Sequence, residues 1–193
     1  IKDIEELSNL TNLQRLYLSN NQIQNIDELS KLINLKWLNL NNNKVKNIAR
    51  LSNLTNLQWL DLSCNPIENI DILEKLILLD ELNLNNTNIG NILVLEKLKK
   101  LKILELSNTK VKDLSALNKL EDLKILNLSN NQIEFIGDLK ELERLIWLDL
   151  NNNLLESIDA LKGLYSLTWL DLSNNKIESI DILKDLRKLN YLN

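Results

Sequence analysis

The sequence predicts an α/β solenoid, a stack of short repeated units that share one elongated core. Residues 13–188 of the 193-residue chain divide into eight complete copies of a 22-residue repeat, flanked by partial copies at 1–12 and 189–193. Seven positions of the repeat are apolar in every complete copy. A unit this short cannot bury its own apolar face, so only the matching face of a neighbour can cover it. The whole chain, 1–193, is therefore predicted to form a single domain.

A β-strand is predicted near the start of every repeat. In the copy 35–56, Leu35, Leu38 and Leu40 occupy positions 1, 4 and 6, with Trp37 and Asn39 alternating between them. Such alternation is typical of a strand with one face turned inward. Because positions 4 and 6 then point into the core, positions 3, 5 and 7 point outward onto the open face of the sheet.

The second half of each repeat is predicted to return in a 3-10 or loosely helical conformation. In the same copy, Ile48, Leu51 and Leu54 follow one another at steps of three, at positions 14, 17 and 20. Steps of three suit a 3-10 helix better than an α-helix, and only about eight to ten residues are available for the return. The convex side is therefore expected to be thin.

Position 9 carries asparagine in six complete copies and threonine in two, Thr87 and Thr109. Where the backbone turns away from the strand, its N–H and C=O groups lack partners in the sheet, and an inward amide can bond to both kinds of group. Threonine offers fewer bonds, so its two copies are predicted to be weaker. The predicted structural ladder comprises Asn21, Asn43, Asn65, Asn131, Asn153 and Asn175.

All four tryptophans occupy position 3, on the predicted open face. Exposed apolar surface usually marks an interaction site, and tryptophan and tyrosine are common anchors. The alternative is that neighbouring rings only stack on each other as cross-strand pairs. The predicted partner-binding residues are Arg15, Trp37, Trp59, Ile103, Ile125, Trp147, Trp169 and Tyr191 in position 3, and Tyr17, Asp61, Asp149 and Asp171 in position 5.

No catalytic residues, metal ligands or cofactors are predicted. The chain has no histidine, the commonest general base and metal ligand. It contains no Gly-rich phosphate loop, Cys-x-x-Cys pair or nucleophile elbow. Asp149 and Asp171 stand at position 5 of consecutive copies, and such a pair can raise one pKa or hold a cation. Two hydrated carboxylates are the simpler interpretation, so the chain is predicted not to be an enzyme.

Composition argues against several classes of partner. The net charge is −4 and the lysines are scattered, whereas a nucleic-acid-binding protein carries a basic stripe. No apolar run approaches the ~18 residues of a membrane-spanning helix, so neither nucleic-acid binding nor membrane insertion is predicted. Cys64 is the only cysteine, so no internal disulfide can form. This favours an intracellular protein or a bacterial surface protein without disulfides.

The order of apolar residues and asparagine resembles the 22-residue class of the leucine-rich repeat family. The match is carried by Leu13-x-x-Leu16-x-Leu18-x-x-Asn21-x-Ile23, continued by Ile26, Leu29 and Leu32. It is similar to the repeats of the bacterial internalins and of the leucine-rich regulatory subunit of protein phosphatase 1. The resemblance covers the whole chain. It implies a right-handed solenoid with a parallel sheet on the concave side, 3-10 or irregular segments on the convex side, and partners usually held on the concave face.

The sequence thus favours a non-catalytic scaffold that binds a partner protein on its concave face. The resemblance suggests either a bacterial surface or effector protein that engages a host protein, or an intracellular phosphatase-regulator-like subunit, with Asp61, Asp149 and Trp169 as candidate residues for the latter. A structural spacer or assembly subunit is the alternative from another class. Because the partial copies at the two ends form incomplete caps, the chain is also expected to belong to a larger protein or assembly.

Overall fold

Nine short strands alternate with nine 3-10 helices in the computed structural model, which describes residues 1–193. The strands are β1 Arg15–Tyr17, β2 Trp37–Asn39, β3 Trp59–Asp61, β4 Glu81–Asn83, β5 Ile103–Glu105, β6 Ile125–Asn127, β7 Trp147–Asp149, β8 Trp169–Asp171 and β9 Tyr191–Leu192. The 3-10 helices span Glu5–Asn9, Asp27–Lys31, Ala49–Asn53, Asp71–Lys75, Leu93–Lys97, Ser115–Lys119, Gly137–Glu141, Asp159–Leu161 and Asp181–Asp185. The predicted alternation of strand and 3-10 return is confirmed in every complete repeat.

The strands form one open parallel sheet in the order of the chain, from β1 to β9. Each strand pairs with the next at the same position of the repeat, so that Trp37 lies beside Trp59 and Trp147 beside Trp169. A position of the repeat therefore becomes a straight column across the sheet. This confirms the predicted solenoid with a parallel sheet and gives each column a continuous surface.

The core is a single cluster of 52 buried residues that runs the length of the stack. In the second complete copy Leu38, Leu40 and Val45 have no exposed surface, and neither have Leu51 and Leu54. Burying a side chain of this size contributes roughly 1.5–3 kcal/mol. Each repeat thus gains most of its stability from the repeats on either side, as the short period predicts.

Cover is weakest in the first and last copies. Ile1 is 65% exposed, whereas Ile4 is buried. In the last complete copy Ile180 is 62% exposed although it occupies a core position of the repeat, and Leu192 of β9 is 50% exposed.

None of the helices is long and apolar enough to cross a membrane.

The asparagines of position 9 tie neighbouring repeats together inside the turn that follows each strand. Asn43 Nδ2 donates to Leu18 O of the preceding repeat at 2.8 Å and to Leu40 O of its own at 3.0 Å. Its Oδ1 accepts the N–H of Ile23 at 3.0 Å. Asn153 makes the corresponding three bonds at 2.9–3.0 Å. One amide therefore serves backbone groups that have no partner in the sheet.

The two threonines of position 9 make fewer of these bonds. Thr87 Oγ1 donates to Leu84 O at 2.7 Å, and the N–H of Ile67, which an asparagine would accept, bonds instead to Asn65 O. Thr109 Oγ1 donates to Asn131 Oδ1 at 2.8 Å. Neither hydroxyl accepts the N–H of the preceding repeat, because it is shorter than an amide and offers a smaller set of bonds.

Position 8 is left-handed in all eight repeats, with φ between 52° and 58°. Asparagine tolerates this conformation better than other residues that carry a Cβ, and it fills the position seven times. Cys64 is the exception, with φ of 54°. The turn that reverses the chain after each strand therefore depends on a residue type as much as on packing.

Candidate functional site: the concave face

The open face of the sheet carries the side chains of positions 3, 5 and 7. Residues of positions 4 and 6, such as Leu148 and Leu150, are fully buried, whereas all four tryptophans of position 3 are half-buried. Since neighbouring strands lie ~4.8 Å apart, the column is continuous enough for its rings to touch. The concave face is thus a broad surface, and the main depressions of the molecule are lined by other residues.

Three rings stack at the C-terminal end of position 3. The centroids of Trp147 and Trp169 lie 4.3 Å apart with 13° between the ring planes. Those of Trp169 and Tyr191 lie 4.8 Å apart with 2° between the planes. Both faces of Trp169 are therefore covered by rings. We call these three residues the C-terminal stack.

A different arrangement holds the aromatic residues of the N-terminal end, which we call the N-terminal cluster: Arg15, Tyr17, Trp37 and Trp59. The Arg15 guanidinium carbon lies 4.3 Å from the ring centroid of Trp37, a cation–π contact. Tyr17 meets Trp59 at a centroid distance of 6.4 Å and an angle of 51°. Trp37 is thus covered by a cation of its own column, whereas Trp59 contacts a ring of position 5.

Three residues of position 3 separate the two groups of rings. Ile103 and Ile125 pair on β5 and β6, and Glu81 lies between Trp59 and Ile103 on the neighbouring strands. All three are half-buried. The residues of position 3 are therefore in register from strand to strand, but the carboxylate of Glu81 interrupts their apolar surface.

Position 5 has a structural role that the sequence analysis missed. Asp61 Oδ1 accepts the N–H of Ser63 at 2.9 Å and its hydroxyl at 2.5 Å. Asp171 does the same for Ser173 at 2.9 and 2.6 Å. A short polar side chain bonding to the backbone two residues later is an Asx turn. The signal was present in the sequence, since Asn or Asp stands at position 5 wherever this bond forms.

Asp149 and Asp171 face each other in register on β7 and β8. Burial raises the pKa of Asp149 against the N–H bond from Asn151, and the neighbouring charges of Asp171 and Glu105 raise it further. Burial also acts to raise the pKa of Asp171, but hydrogen bonds from Ser173, Asn193 and Asn151 outweigh it and hold that pKa below its ordinary value. Asp171 is therefore the better stabilised anion of the pair.

Glu105 is held by amides rather than by a cation. Its Oε2 accepts Nδ2 of Asn85 at 3.1 Å and Nδ2 of Asn127 at 2.9 Å. Its longer side chain does not form the bond of position 5 to position 7, so the N–H of Ser107 donates to Asn85 Oδ1 at 2.6 Å. The carboxylate thus links three neighbouring repeats across the middle of the concave face.

Every ion pair of the molecule lies outside positions 3, 5 and 7. The pairs are Lys31–Glu28, Arg50–Asp27, Lys97–Glu96, Lys102–Asp80, Lys140–Glu141 and Arg144–Asp122. No three His, Cys, Asp or Glu side chains are grouped so that they could hold a metal ion. The carboxylates of positions 3, 5 and 7 therefore form no ion pair with a basic side chain, and they are not grouped as metal ligands.

Family models for leucine-rich repeats match most of the chain. The model described as Leucine Rich repeats (2 copies) matches residues 1–31, 33–75 and 99–142, and the model described as Leucine rich repeat matches 144–193. The repeat, the parallel sheet and these matches together define a leucine-rich repeat protein, and the chain belongs to that family. No curated protein sequence matches it.

The solved structures that resemble this chain include two internalins. An internalin (InlF) of Listeria monocytogenes is 33% identical over all of this chain and 57% of its own, with a TM-score of 0.97. Internalin C2 of the same organism is 29% identical over 95% of this chain and 81% of its own, at 0.92. The chain thus spans little more than half the length of InlF.

A further match was solved as a complex. The ectodomain of the Arabidopsis thaliana receptor kinase GASSHO1/SCHENGEN3, in complex with CASPARIAN STRIP INTEGRITY FACTOR 2, is 26% identical over 99% of this chain and 25% of its own, with a TM-score of 0.88. In such homologues the leucine-rich repeat fold serves as a scaffold for protein interaction.

Proposed function

We propose that the chain is a non-catalytic scaffold that holds a partner protein on its concave face. The observation that carries the proposal is the aromatic column of position 3, whose tryptophans lie in register and half-exposed on the open face. Contiguous exposed apolar surface with tryptophan and tyrosine at its centre is typical of interfaces. The predicted binding residues all lie on this face.

Polar groups in the column and beside it support the same function. Tyr17 of the N-terminal cluster is 60% exposed and Tyr191 of the C-terminal stack is 42% exposed, so each patch presents a hydroxyl at its edge. Glu105 and its two amide partners lie between them. An apolar centre with a hydrogen-bonding surround is the usual composition of a protein interface.

A structural spacer or assembly subunit is the second candidate, and the stacked rings favour it. Centroid distances of 4.3 and 4.8 Å mean that Trp147, Trp169 and Tyr191 already contact one another. Such pairs stabilise a sheet by about 0.5–1.5 kcal/mol each without any partner. The two functions differ in whether removing a ring changes affinity or only stability.

Site-specific photo-cross-linking distinguishes them. A photoreactive residue is placed at Ile125 on the concave face, at Ile103 beside it, and at Lys97 or Lys119 on the convex side as controls. We expect one protein to be captured from both concave positions and from neither convex position. The captured protein, once purified, should bind Trp147→Ala and Trp169→Ala more than tenfold more weakly than the wild type, because interface anchors are worth about 2 kcal/mol or more.

Thermal denaturation of each variant is measured beside its affinity. Lys97→Ala and Lys119→Ala are the matched convex variants and should leave the affinity unchanged. Loss of stability in the tryptophan variants with unchanged affinity, or capture of the same protein from the convex side, would reject the concave site in favour of a structural role.

A further inference from the structure

The net charge of the chain is concentrated on the concave face. Positions 3, 5 and 7 carry five carboxylates and one guanidinium, and these are Asp61, Glu81, Glu105, Asp149, Asp171 and Arg15. Subtracting them from the totals of 27 acidic and 23 basic residues leaves 22 of each. The rest of the molecule is therefore electrically balanced, and the whole charge of −4 belongs to the open face.

This charge has no counterpart within the molecule. All six ion pairs lie elsewhere, and Glu105 is held only by neutral amides. Asp149, which is half-buried, and Asp171, which is buried, lie in register on neighbouring strands and keep their charges close together. Carboxylates that lose water in an interface require a positive partner, since removing water from an unpaired charge is costly.

The C-terminal stack lies beside this pair of carboxylates. Trp147 and Asp149 are two residues apart on β7, and Trp169 and Asp171 are two residues apart on β8, so each indole lies ~6–7 Å along the strand from a carboxylate on the same face. Arginine and lysine match such a surface, because their alkyl stems pack on rings while the cation reaches an acid.

The N-terminal cluster contains an intramolecular example of this contact. The Arg15 guanidinium carbon lies 4.3 Å from the centroid of Trp37. Arg15 and Trp37 occupy position 3 of neighbouring strands, so an indole of this column already accepts a cation where the sequence supplies one. At the C-terminal end no basic residue occupies positions 3, 5 or 7.

We propose that the concave face binds a cationic segment of its partner protein, with an arginine or lysine side chain lying between the C-terminal stack and the carboxylates of Asp149 and Asp171. This inference rests on the proposed function and specifies the chemistry of the partner. A bare metal ion fits less well, because no third metal-ligating side chain joins the two carboxylates. An acidic or nucleic-acid partner would meet like charge.

A peptide library without charge bias provides the test. Random dodecapeptides displayed on phage are selected on the full chain, and those that bind Trp169→Ala at least tenfold more weakly are retained as dependent on the stack. We expect these peptides to be enriched in arginine and lysine relative to the library. Their affinity should fall as salt is raised, because screening weakens partly exposed charge pairs.

Isosteric variants then locate the cation. Asp149→Asn and Asp171→Asn should weaken the synthetic peptides about tenfold or more, because one partner of a desolvated charge pair is removed. The variants should fold, since asparagine stands at position 5 of β2, β4 and β6; thermal denaturation checks this. Glu156→Gln, an exposed carboxylate of the same repeat, is the matched control and should change nothing.

The possible results distinguish the cationic character of the partner from the existence of the concave binding site. Stack-dependent peptides that are uncharged or acidic, or that bind Asp149→Asn and Asp171→Asn as tightly as the wild type, would overturn the cationic partner while leaving the concave site intact. Absence of any peptide that depends on Trp169 would count against the concave site itself.

Discussion

The two ends of the concave sheet contain the same pair of residues in the same register and arrange it differently. Trp147 and Trp169 stack at 4.3 Å, and Tyr191 continues the stack. Trp37 and Trp59 are paired just as closely along the sheet, yet Trp37 takes its contact from Arg15 and Trp59 from Tyr17.

The neighbours of each pair account for the difference. At the C-terminal end, position 5 holds the carboxylates Asp149 and Asp171, which bond to the backbone two residues later. Position 5 beside Trp37 and Trp59 does the same, so the difference lies in the outermost strand at each end. At the N-terminal end, Tyr17 occupies position 5 and brings a ring of its own. Register fixes where a side chain starts, and the side chains of the outermost strands, Arg15 and Tyr17 on β1 and Tyr191 on β9, determine what covers the neighbouring rings.

The largest expected effect concerns what the two ends share. Asn43 and Asn153 make the same three bonds under the N-terminal cluster and the C-terminal stack. Asn43→Ala and Asn153→Ala should each lower the free energy of unfolding by about 1–3 kcal/mol, because buried backbone groups lose their partner. Urea denaturation should give the two variants similar values.

Thr87→Asn is the control for that prediction. It supplies the amide that this repeat lacks, so the variant should be as stable as the wild type or more stable. A destabilised Thr87→Asn would mean that the bonds of position 9 do not limit the stability of the solenoid. A neutral Asn153→Ala beside a destabilised Asn43→Ala would mean that the two ends also differ in the turns that follow the strands.

An intermediate effect should distinguish the ends directly. Trp169→Ala removes two ring stacks, each worth about 0.5–1.5 kcal/mol, whereas Trp37→Ala removes one cation–π contact worth about 0.5–1 kcal/mol at an exposed site. The midpoint of thermal unfolding should therefore fall further for Trp169→Ala. Trp169→Leu keeps apolar area without a ring and separates stacking from burial. Equal losses for Trp37→Ala and Trp169→Ala would show that ring geometry does not matter to stability.

The smallest expected effect depends on pH and belongs to the C-terminal end. The pKa of Asp149 is raised in the folded protein, so the folded state holds that proton more tightly than the unfolded state does. Stability should fall as pH rises from the ordinary value of 3.8 through the raised pKa. Asp149→Asn should remove this slope and leave the protein slightly more stable at neutral pH.

Asp171→Asn should have the opposite sign. The pKa of Asp171 is lowered, so its charge stabilises the folded state above the ordinary pKa, and that stability is lost as pH falls through the lowered value. The variant should be less stable than the wild type at neutral pH. Denaturant midpoints measured from acid to neutral pH test both variants, and the same sign for the two would contradict the split between the carboxylates.

Much of the fold could be predicted because it depends on one repeated spacing. The steps of three through Ile48, Leu51 and Leu54 indicated the 3-10 return, and that helix is observed at Ala49–Asn53. The outward direction of position 3 followed from the inward direction of Leu38 and Leu40. Periodicity averages over eight copies, so local exceptions do not disturb it.

The details of the site depend on single copies, and there the sequence was less informative. Which side chains cover the rings of Trp37 and Trp169 depends on side-chain rotamers, which spacing does not specify. The same holds on the convex side, where the Phe135 ring occupies the space in which a Cβ on Gly137 would lie. Whether the concave residues bind a partner stays a prediction.

The register of the sheet has a consequence for how partners are distinguished. Trp59 lies on β3 and Trp147 on β7, four strand steps apart, so about 19 Å of sheet separates the two aromatic patches at ~4.8 Å per step. Gain or loss of one internal repeat would change that distance by a single step and leave the residues of both patches as they are. The number of repeats between the patches therefore sets their separation in steps of one strand. A partner that touches both patches must match that length, whatever chemistry each patch recognises.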